Sequence, residues 1–283
     1  DLMCMIGEIV VVGGVRRSAL ISLSNLSDQR MRDAKSGQWW VDNPQRALAN
    51  NSVAYTEKPS SEIFMEEWLS LVKSKSGERG IFNRQAAQKQ AAKWGRRPAD
   101  KNYGCNPCSE IILNDKQLCN LSEIIVRADD DEVSLIRKAR IAAILGTLQA
   151  TLTDFGFVSE KWSAQTADEA LLGVSMTGIM DNPLTSGREG YDLLAGVLNR
   201  LRDAARETNE AWAEALGIKP SAAITCVKPS GTVSQLCNTA SGIHARHNRN
   251  YIRTVRVDKK DPLYHFMVAK GFYVEDDMMR PDS

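Results

Sequence analysis

Apolar positions along the chain fall into helical and strand-like periods that alternate. From Glu62 to Lys73 the residues Ile63, Phe64, Trp68, Leu71 and Val72 keep helical spacing, with Ser60 or Ser61 standing where an N-cap belongs. The pattern returns from Val133 to about Phe155 with Ile141, Ile144, Leu145, Leu148 and Leu152, behind an acidic run from Asp129 to Glu132 that suits a helix N-terminus. A third helix is predicted from Tyr191 to Leu216, closed by Gly217. Between the helices, Val15 to Leu23 reads as a strand entered from a Gly13-Gly14 turn. Ile111 to Leu113 and Leu121 to Val126 read as two neighbouring strands flanking Asn114-Asp115, and Ile224 to Val227 and Tyr251 to Val257 as two more. Strands alternating with helices predict an α/β sheet or barrel.

Composition narrows the classes. At 283 residues and 43% hydrophobic, the chain can bury one large core, so a single α/β domain over residues 1–283 is expected. Basic and acidic side chains number 36 and 35, which leaves no electrostatic footprint for nucleic acid or an anionic membrane. No apolar run reaches the ~18 residues of a membrane span, and the start at Asp1 shows neither a basic n-region nor a cleavage site. The expectation is a soluble, cytoplasmic protein.

Six cysteines are too few for a disulfide scaffold. Cys4, Cys226 and Cys237 are scattered and read as small buried hydrophobes, whereas Cys105, Cys108 and Cys119 cluster. Three chemistries compete for the cluster. Zinc suits the C-x2-C spacing of Cys105 and Cys108 with Cys119 as a third ligand, but a fourth is missing nearby, His244 and His247 being far downstream. A thioredoxin-like pair suits Cys-Asn-Pro-Cys, although β-branched residues follow where that motif opens a helix. In an extended segment Asn106, Cys108 and Glu110 project to one side, which would gather an amide, a thiol and a carboxylate for hydrogen transfer. Against this, Asn106 is also an ordinary turn residue before Pro107, and Glu110 an ordinary solvated acid. Further on, Lys228-Pro-Ser-Gly-Thr would offer backbone N–H groups and the hydroxyls of Ser230 and Thr232 to a phosphate, with Gly231 allowing close approach. The same residues also make a plain turn.

Asn106-Pro-Cys108-Ser-Glu110 resembles the finger-loop motif Asn-x-Cys-x-Glu of ribonucleotide reductase large subunits. The short stretch to Cys119 is similar to the class II, adenosylcobalamin-dependent branch, since the class I branch carries a longer insertion there. The resemblance continues in the family's order over about residues 5–257. Gly13 to Ala19 is similar to a strand near the start of the barrel. Pro44 to Ser52, with Arg46, Asn50, Asn51 and Ser52, is similar to the loop relaying effector identity to substrate choice. Lys228 to Ser234, with Pro229, Ser230, Gly231 and Thr232, is similar to the substrate-phosphate loop.

The resemblance implies a ten-stranded α/β barrel, incomplete at both ends, with a central finger loop at about residues 104–112. It implies a thiyl at Cys108, formed through cobalt–carbon homolysis of adenosylcobalamin, that removes the 3′-hydrogen of a ribonucleotide. Glu110 is then the base toward the 3′-hydroxyl, Asn106 a substrate hydrogen-bonding group, and Cys119 one of two thiols that reduce the 2′-position. The family's partner for Cys119 lies upstream of the segment matching residues 5–20; Cys4 does not occupy that place, and the partner stays unassigned. No metal ligands are implied, and His244, His247 and His265 read as structural or loop residues. A deoxynucleotide effector, a thioredoxin-type reductant and a second chain completing the barrel are the implied partners. The alternatives are a class I large subunit needing a radical-generating small subunit, a non-catalytic nucleotide-binding fragment, and a zinc-stabilised binding module.

Overall fold

The computed structural model of the protein describes residues 1–9 and 18–276, so the Gly13-Gly14 turn lies outside the described residues. After α1 (Leu2–Ile9) come three parallel strands in the order β1 (Leu20–Ser24), β2 (Ala49–Tyr55) and β3 (Gly80–Asn83). Parallel neighbours need long crossovers. The first holds α2 (Gln29–Arg32), α3 (Trp39–Asp42) and a 3-10 turn at Pro44–Leu48, and the second holds α4 (Ser61–Ser74). Ser60 does cap α4, its Oγ accepting from Ile63 N at 3.3 Å. Of the expected effector-relay residues, Asn50, Asn51 and Ser52 lie in β2 rather than in a loop, and only Arg46 keeps a turn position.

Arg79, just ahead of β3, ties this first layer together. It donates to both oxygens of Glu67 on α4, at 3.0 and 2.8 Å, and to Ser24 Oγ and Asn25 O beside β1, each at 2.9 Å. A small core of Ala54, Phe82 and Ala87 joins the sheet to α5 (Arg84–Ala92), and Cys105 and Ile112 pack on it.

Those two residues belong to a hairpin, β4 (Gly104–Cys105) and β5 (Ile112–Leu113), the only antiparallel pair among the described residues. The expectation that Ile111 to Leu113 would pair with Leu121 to Val126 is therefore corrected. Local hairpin closure takes β5, whereas β6 (Asn120–Ile125) runs parallel to β7 (Leu172–Thr177) over six residues. That pairing buries Ile124 and Val126 under α6 (Glu132–Gln149), which shares the crossover with α7 (Glu160–Glu169). Asp131 caps α6, accepting from Ser134 N at 2.8 Å.

The main core lies where α6 meets β6, β7 and α9, and it holds a second correction. The buried face of α6 is Leu135, Ala139, Ala142, Ala143, Gly146 and Thr147, while Ile141, Leu145 and Leu148 are exposed and the helix stops before Leu152. Alanines on α6 share one core with Val197, Leu201 and Ala205 of the long helix α9 (Tyr191–Leu216), which α8 (Pro183–Ser186) precedes and Gly217 ends at φ +69°. Small residues let the helices approach closely, and branched side chains would hold them apart. Gly146 shows how tight the layer is: a Cβ there would sit 2.9 Å from Leu172 Cγ.

Residues 222–226 run along the other edge of β7, through Leu172 N to Ala223 O at 3.0 Å and Cys226 N to Val174 O at 3.0 Å, but form only the single bridge Val174–Thr225. The chain then passes α10 (Thr232–Leu236) and ends its described part after α11 (Pro262–Ala269). Tyr251 to Val257, expected as a strand, has no regular structure and is mostly exposed, because no described strand lies beside it to pair with. No helix of the described residues is long and apolar enough to cross a membrane.

Candidate active site

The face of the β6–β7 layer turned away from α6 carries the candidate chemistry. Period-two alternation puts Cys119, Leu121 and Glu123 on that face, opposite Gly173 and Ser175, with Cys226 and Lys228 on the adjoining segment. The β4–β5 hairpin supplies Cys108 and Glu110.

The hairpin tip is a turn rather than the extended run supposed from sequence. Ser109 N donates to Asn106 O at 2.9 Å, Ile111 N donates to Asn106 Oδ1 at 3.0 Å, and Ser109 takes a left-handed conformation at φ +65°. Asn106, Cys108 and Glu110 are thereby brought together in one loop without sharing one face. Cys108 is exposed at the tip. Glu110 turns inward, its side chain 3% exposed, and accepts from Lys228 Nζ at 2.6 Å through Oε1, while Oε2 is buried without a partner. Buried carboxylate oxygens are normally paired, so this one marks a place for water or a ligand donor. Asn106 spends its carbonyl on the turn, which leaves Nδ2 to donate outward.

From β2, Asn50 Nδ2 donates to Pro107 O at 2.9 Å, so one expected effector-relay residue touches the residue before Cys108. The other three do not reach the hairpin through a hydrogen bond. Arg46 pairs with Asp1, Asn51 N donates to Glu78 Oε2, and Ser52 O accepts from Ser24 Oγ. Asn50→Ala should leave global stability nearly unchanged. It should also raise amide exchange over residues 106–110 by about 2- to 12-fold, the equivalent of one hydrogen bond at ~0.5–1.5 kcal/mol. Unaltered exchange there would show that the contact does not hold the tip.

Cys119 and Cys226 flank Gly173, with sulfurs 3.3 and 3.2 Å from where a Cβ on that glycine would sit. Burial pushes both thiols up to about 12, helped by the Glu110 carboxylate near each. Both are therefore thiols rather than thiolates at neutral pH. They cannot bridge each other without backbone movement. Their segments lie on opposite sides of β7, two strand spacings or roughly 9–10 Å apart, beyond the ~7 Å limit for disulfide Cα atoms.

Of the phosphate-loop residues, Ser230 is buried, receives Ser241 Oγ at its carbonyl, and donates to Glu123 Oε2 at 3.4 Å. Pro229, Gly231 and Thr232 are exposed, and α10 begins at Thr232 as the reading of the loop requires. Burial raises the Glu123 carboxyl above its ordinary value, against the lowering effects of Ser230 and Lys228. Sequence reasoning placed Lys228 in the phosphate loop but missed Glu123 and Cys226 as its neighbours. The available signal was Glu123 standing at i+4 from Cys119 on one strand face. Among the described residues no three His, Cys, Asp or Glu side chains form a metal-holding group.

No family model matches the chain. It is 28% identical over 303 residues to the adenosylcobalamin-dependent ribonucleoside-triphosphate reductase of Lacticaseibacillus paracasei, and 26% identical over 305 residues to the protein of that description from Lactobacillus leichmannii. Each alignment covers 98% of this chain, and the chain spans about 40% of the length of these curated relatives. Among solved structures, a B12-dependent (class II) ribonucleotide reductase superposes with a TM-score of 0.74 at 24% identity, over 98% of this chain and 41% of that one. The class Id ribonucleotide reductase alpha subunit of Actinobacillus ureae superposes with a TM-score of 0.61 at 13% identity, over 95% of this chain and 55% of that one. These superpositions establish an α/β fold of ribonucleotide reductase type. The resemblance to ribonucleotide reductases is borne out along nearly the whole sequence: the chain is similar to adenosylcobalamin-dependent ribonucleoside-triphosphate reductases over 98% of its length and spans about 40% of theirs.

Proposed function

We propose that this chain carries the central radical and acid–base groups of a class II ribonucleotide reductase, which converts ribonucleoside di- or triphosphates to deoxyribonucleotides. The observation that carries the reading is the hairpin, which presents an exposed Cys108 two residues from a buried Glu110 joined to Lys228 of the phosphate loop. An exposed thiol at a turn suits a radical source as bulky as adenosylcobalamin, whose cobalt–carbon bond supplies the radical when it is bound. Cys108, as a thiyl, removes the 3′-hydrogen of the ribose. Glu110 accepts the 3′-hydroxyl proton. Asn106 Nδ2 orients the substrate, and the loop Pro229, Ser230, Gly231 and Thr232 receives its phosphate. Cys119, protonated and half-buried, supplies one of the two thiols that reduce the 2′-carbon. A second thiol completes the reduction, and a thioredoxin-type protein re-reduces the pair.

The full assembly is a ten-stranded barrel around the hairpin, of which residues 1–283 form part. Two features support that geometry. β6 has no partner on its outer edge among the described residues, and beside it runs an apolar groove of about 630 Å³ lined by Leu121, Ile125, Ile141 and Leu145. An open strand edge over an apolar groove invites another strand, supplied by flanking sequence or by a second chain. A deoxynucleotide effector acts through the β2 segment, with Asn50 its contact to the hairpin.

The test is anaerobic incubation of the full chain with adenosylcobalamin, a ribonucleotide, a deoxynucleotide effector and a dithiol. Cobalt(II) and deoxynucleotide together support the reading. Absence of both from a folded chain, persisting after the flanking sequence of a relative is fused on, overturns it.

A further inference from the structure

The groups of the phosphate loop that would meet a phosphate are already held by carboxylates. Lys228 Nζ donates to Glu110 Oε1 at 2.6 Å and Ser230 Oγ donates to Glu123 Oε2 at 3.4 Å. One carboxylate comes from the hairpin and the other from β6, yet both converge on a single short loop. The hold is one-sided at Glu110, whose Oε2 is buried with no partner. Around Lys228 stand Glu110, Glu123, Cys108 and Cys226; the two thiols contribute no charge while protonated, so two carboxylates face one ammonium. A phosphate entering such a set meets net negative charge unless the carboxylates give way.

Resting on the proposed function, we infer that Glu110 and Glu123 are built-in counter-anions of the phosphate loop that the substrate's phosphate displaces. Lys228 and Ser230 pass from the carboxylates to the phosphate. Glu123 takes up a proton from solvent, and Glu110 is released to act as the base at the ribose. The groups around Glu123 fit this sequence. Burial already raises its carboxyl, and the two influences that lower it are Ser230 and Lys228, the groups the phosphate would take. Substrate binding and arming of the base become one event, so Glu110 stays neutralised by Lys228 until a phosphate is seated.

Calorimetric titration with inorganic tripolyphosphate tests this on the full chain and on Glu110→Gln, Glu123→Gln and Lys228→Gln, with circular dichroism confirming each fold. Displacement predicts that both glutamine variants of the acids bind about tenfold more tightly than the parent, since each removes a competing negative charge. Lys228→Gln should lose binding. Titration in two buffers of different ionisation enthalpy should show proton uptake by the parent that is missing in Glu123→Gln. Loss in Lys228→Gln without a gain in either acid variant would overturn the displacement and leave the phosphate loop standing. Tripolyphosphate binding that is absent, or indifferent to Lys228, would overturn the phosphate loop itself and the inference with it.

Discussion

On the proposed function, Cys108→Ser will take deoxynucleotide formation to background while leaving the chain folded and as stable as the parent to within about 0.5 kcal/mol. The stability follows from exposure, since Cys108 sits at a solvent-facing turn and fills no cavity. Loss of activity follows from bond strength, because a thiol yields its hydrogen atom far more readily than a hydroxyl of the same shape. Glu110→Gln separates the radical step from the proton step. The amide cannot take up the 3′-hydroxyl proton, so turnover should fall by on the order of 10²–10⁴. That loss should come with tighter phosphate binding, a split between kcat and affinity that a merely structural Glu110 would not produce. Product from Cys108→Ser at the parent rate, in the anaerobic assay with adenosylcobalamin, would remove Cys108 from its role.

Local signals were legible in the sequence, and long-range pairings were not. Ser60, Asp131 and Gly217 mark helix ends through bonds that span a few residues, and all three stand where the pattern placed a helix boundary. The pairing of β6 with β7 joins residues about fifty positions apart, for example Asn120 with Leu172. Nothing in the residues from 111 to 126 announces that distant partner, so the nearer one looked right. The face of α6 was misread for another reason. Hydrophobic periodicity weights Ile and Leu, whereas the packed face is built from alanines whose value lies in their small size. Tyr251 to Val257 shows the converse, an alternating pattern that stays irregular without a partner beside it.

The candidate site divides along the same line. Asn106, Cys108 and Glu110 lie within five residues and could be read together. The ion pair from Lys228 to Glu110 crosses 118 residues, and the contact from Ser230 to Glu123 crosses 107. A lone acid inside a strand reads as a solvated position until the fold sets it opposite a loop of donors. Cys226 was read as a small buried hydrophobe, whereas the structure leaves it half-buried. The fold adds that it stands across Gly173 from Cys119.

Arg79→Met will cost about 3–5 kcal/mol of folding stability, a large part of the ~5–15 kcal/mol that holds a domain together. The side chains of Arg79 and Glu67 are 1% and 5% exposed, and Arg79 also serves Ser24, Asn25, Leu26 and Asp28. Removing the guanidinium leaves Glu67 buried with only Arg32 as a counter-charge and strands the carbonyls of the β1 turn. Lysine would be a poor rescue, because a single ammonium cannot reproduce the fork that grips both Glu67 oxygens. The same cluster fixes a pH dependence. Burial alone would raise the Glu67 carboxyl, but hydrogen bonds from Arg79 and Arg32 overcome it and hold the group below the ordinary carboxylate range. A carboxyl lowered in the folded state stabilises fully above its unfolded value, and that contribution drains away as pH falls through its folded value. Urea unfolding should therefore weaken progressively from the ordinary carboxylate range downward, and Glu67→Gln should flatten that decline. An Arg79→Met variant within 1 kcal/mol of the parent would show that the buried cluster orders the β1–α4–β3 layer without stabilising it.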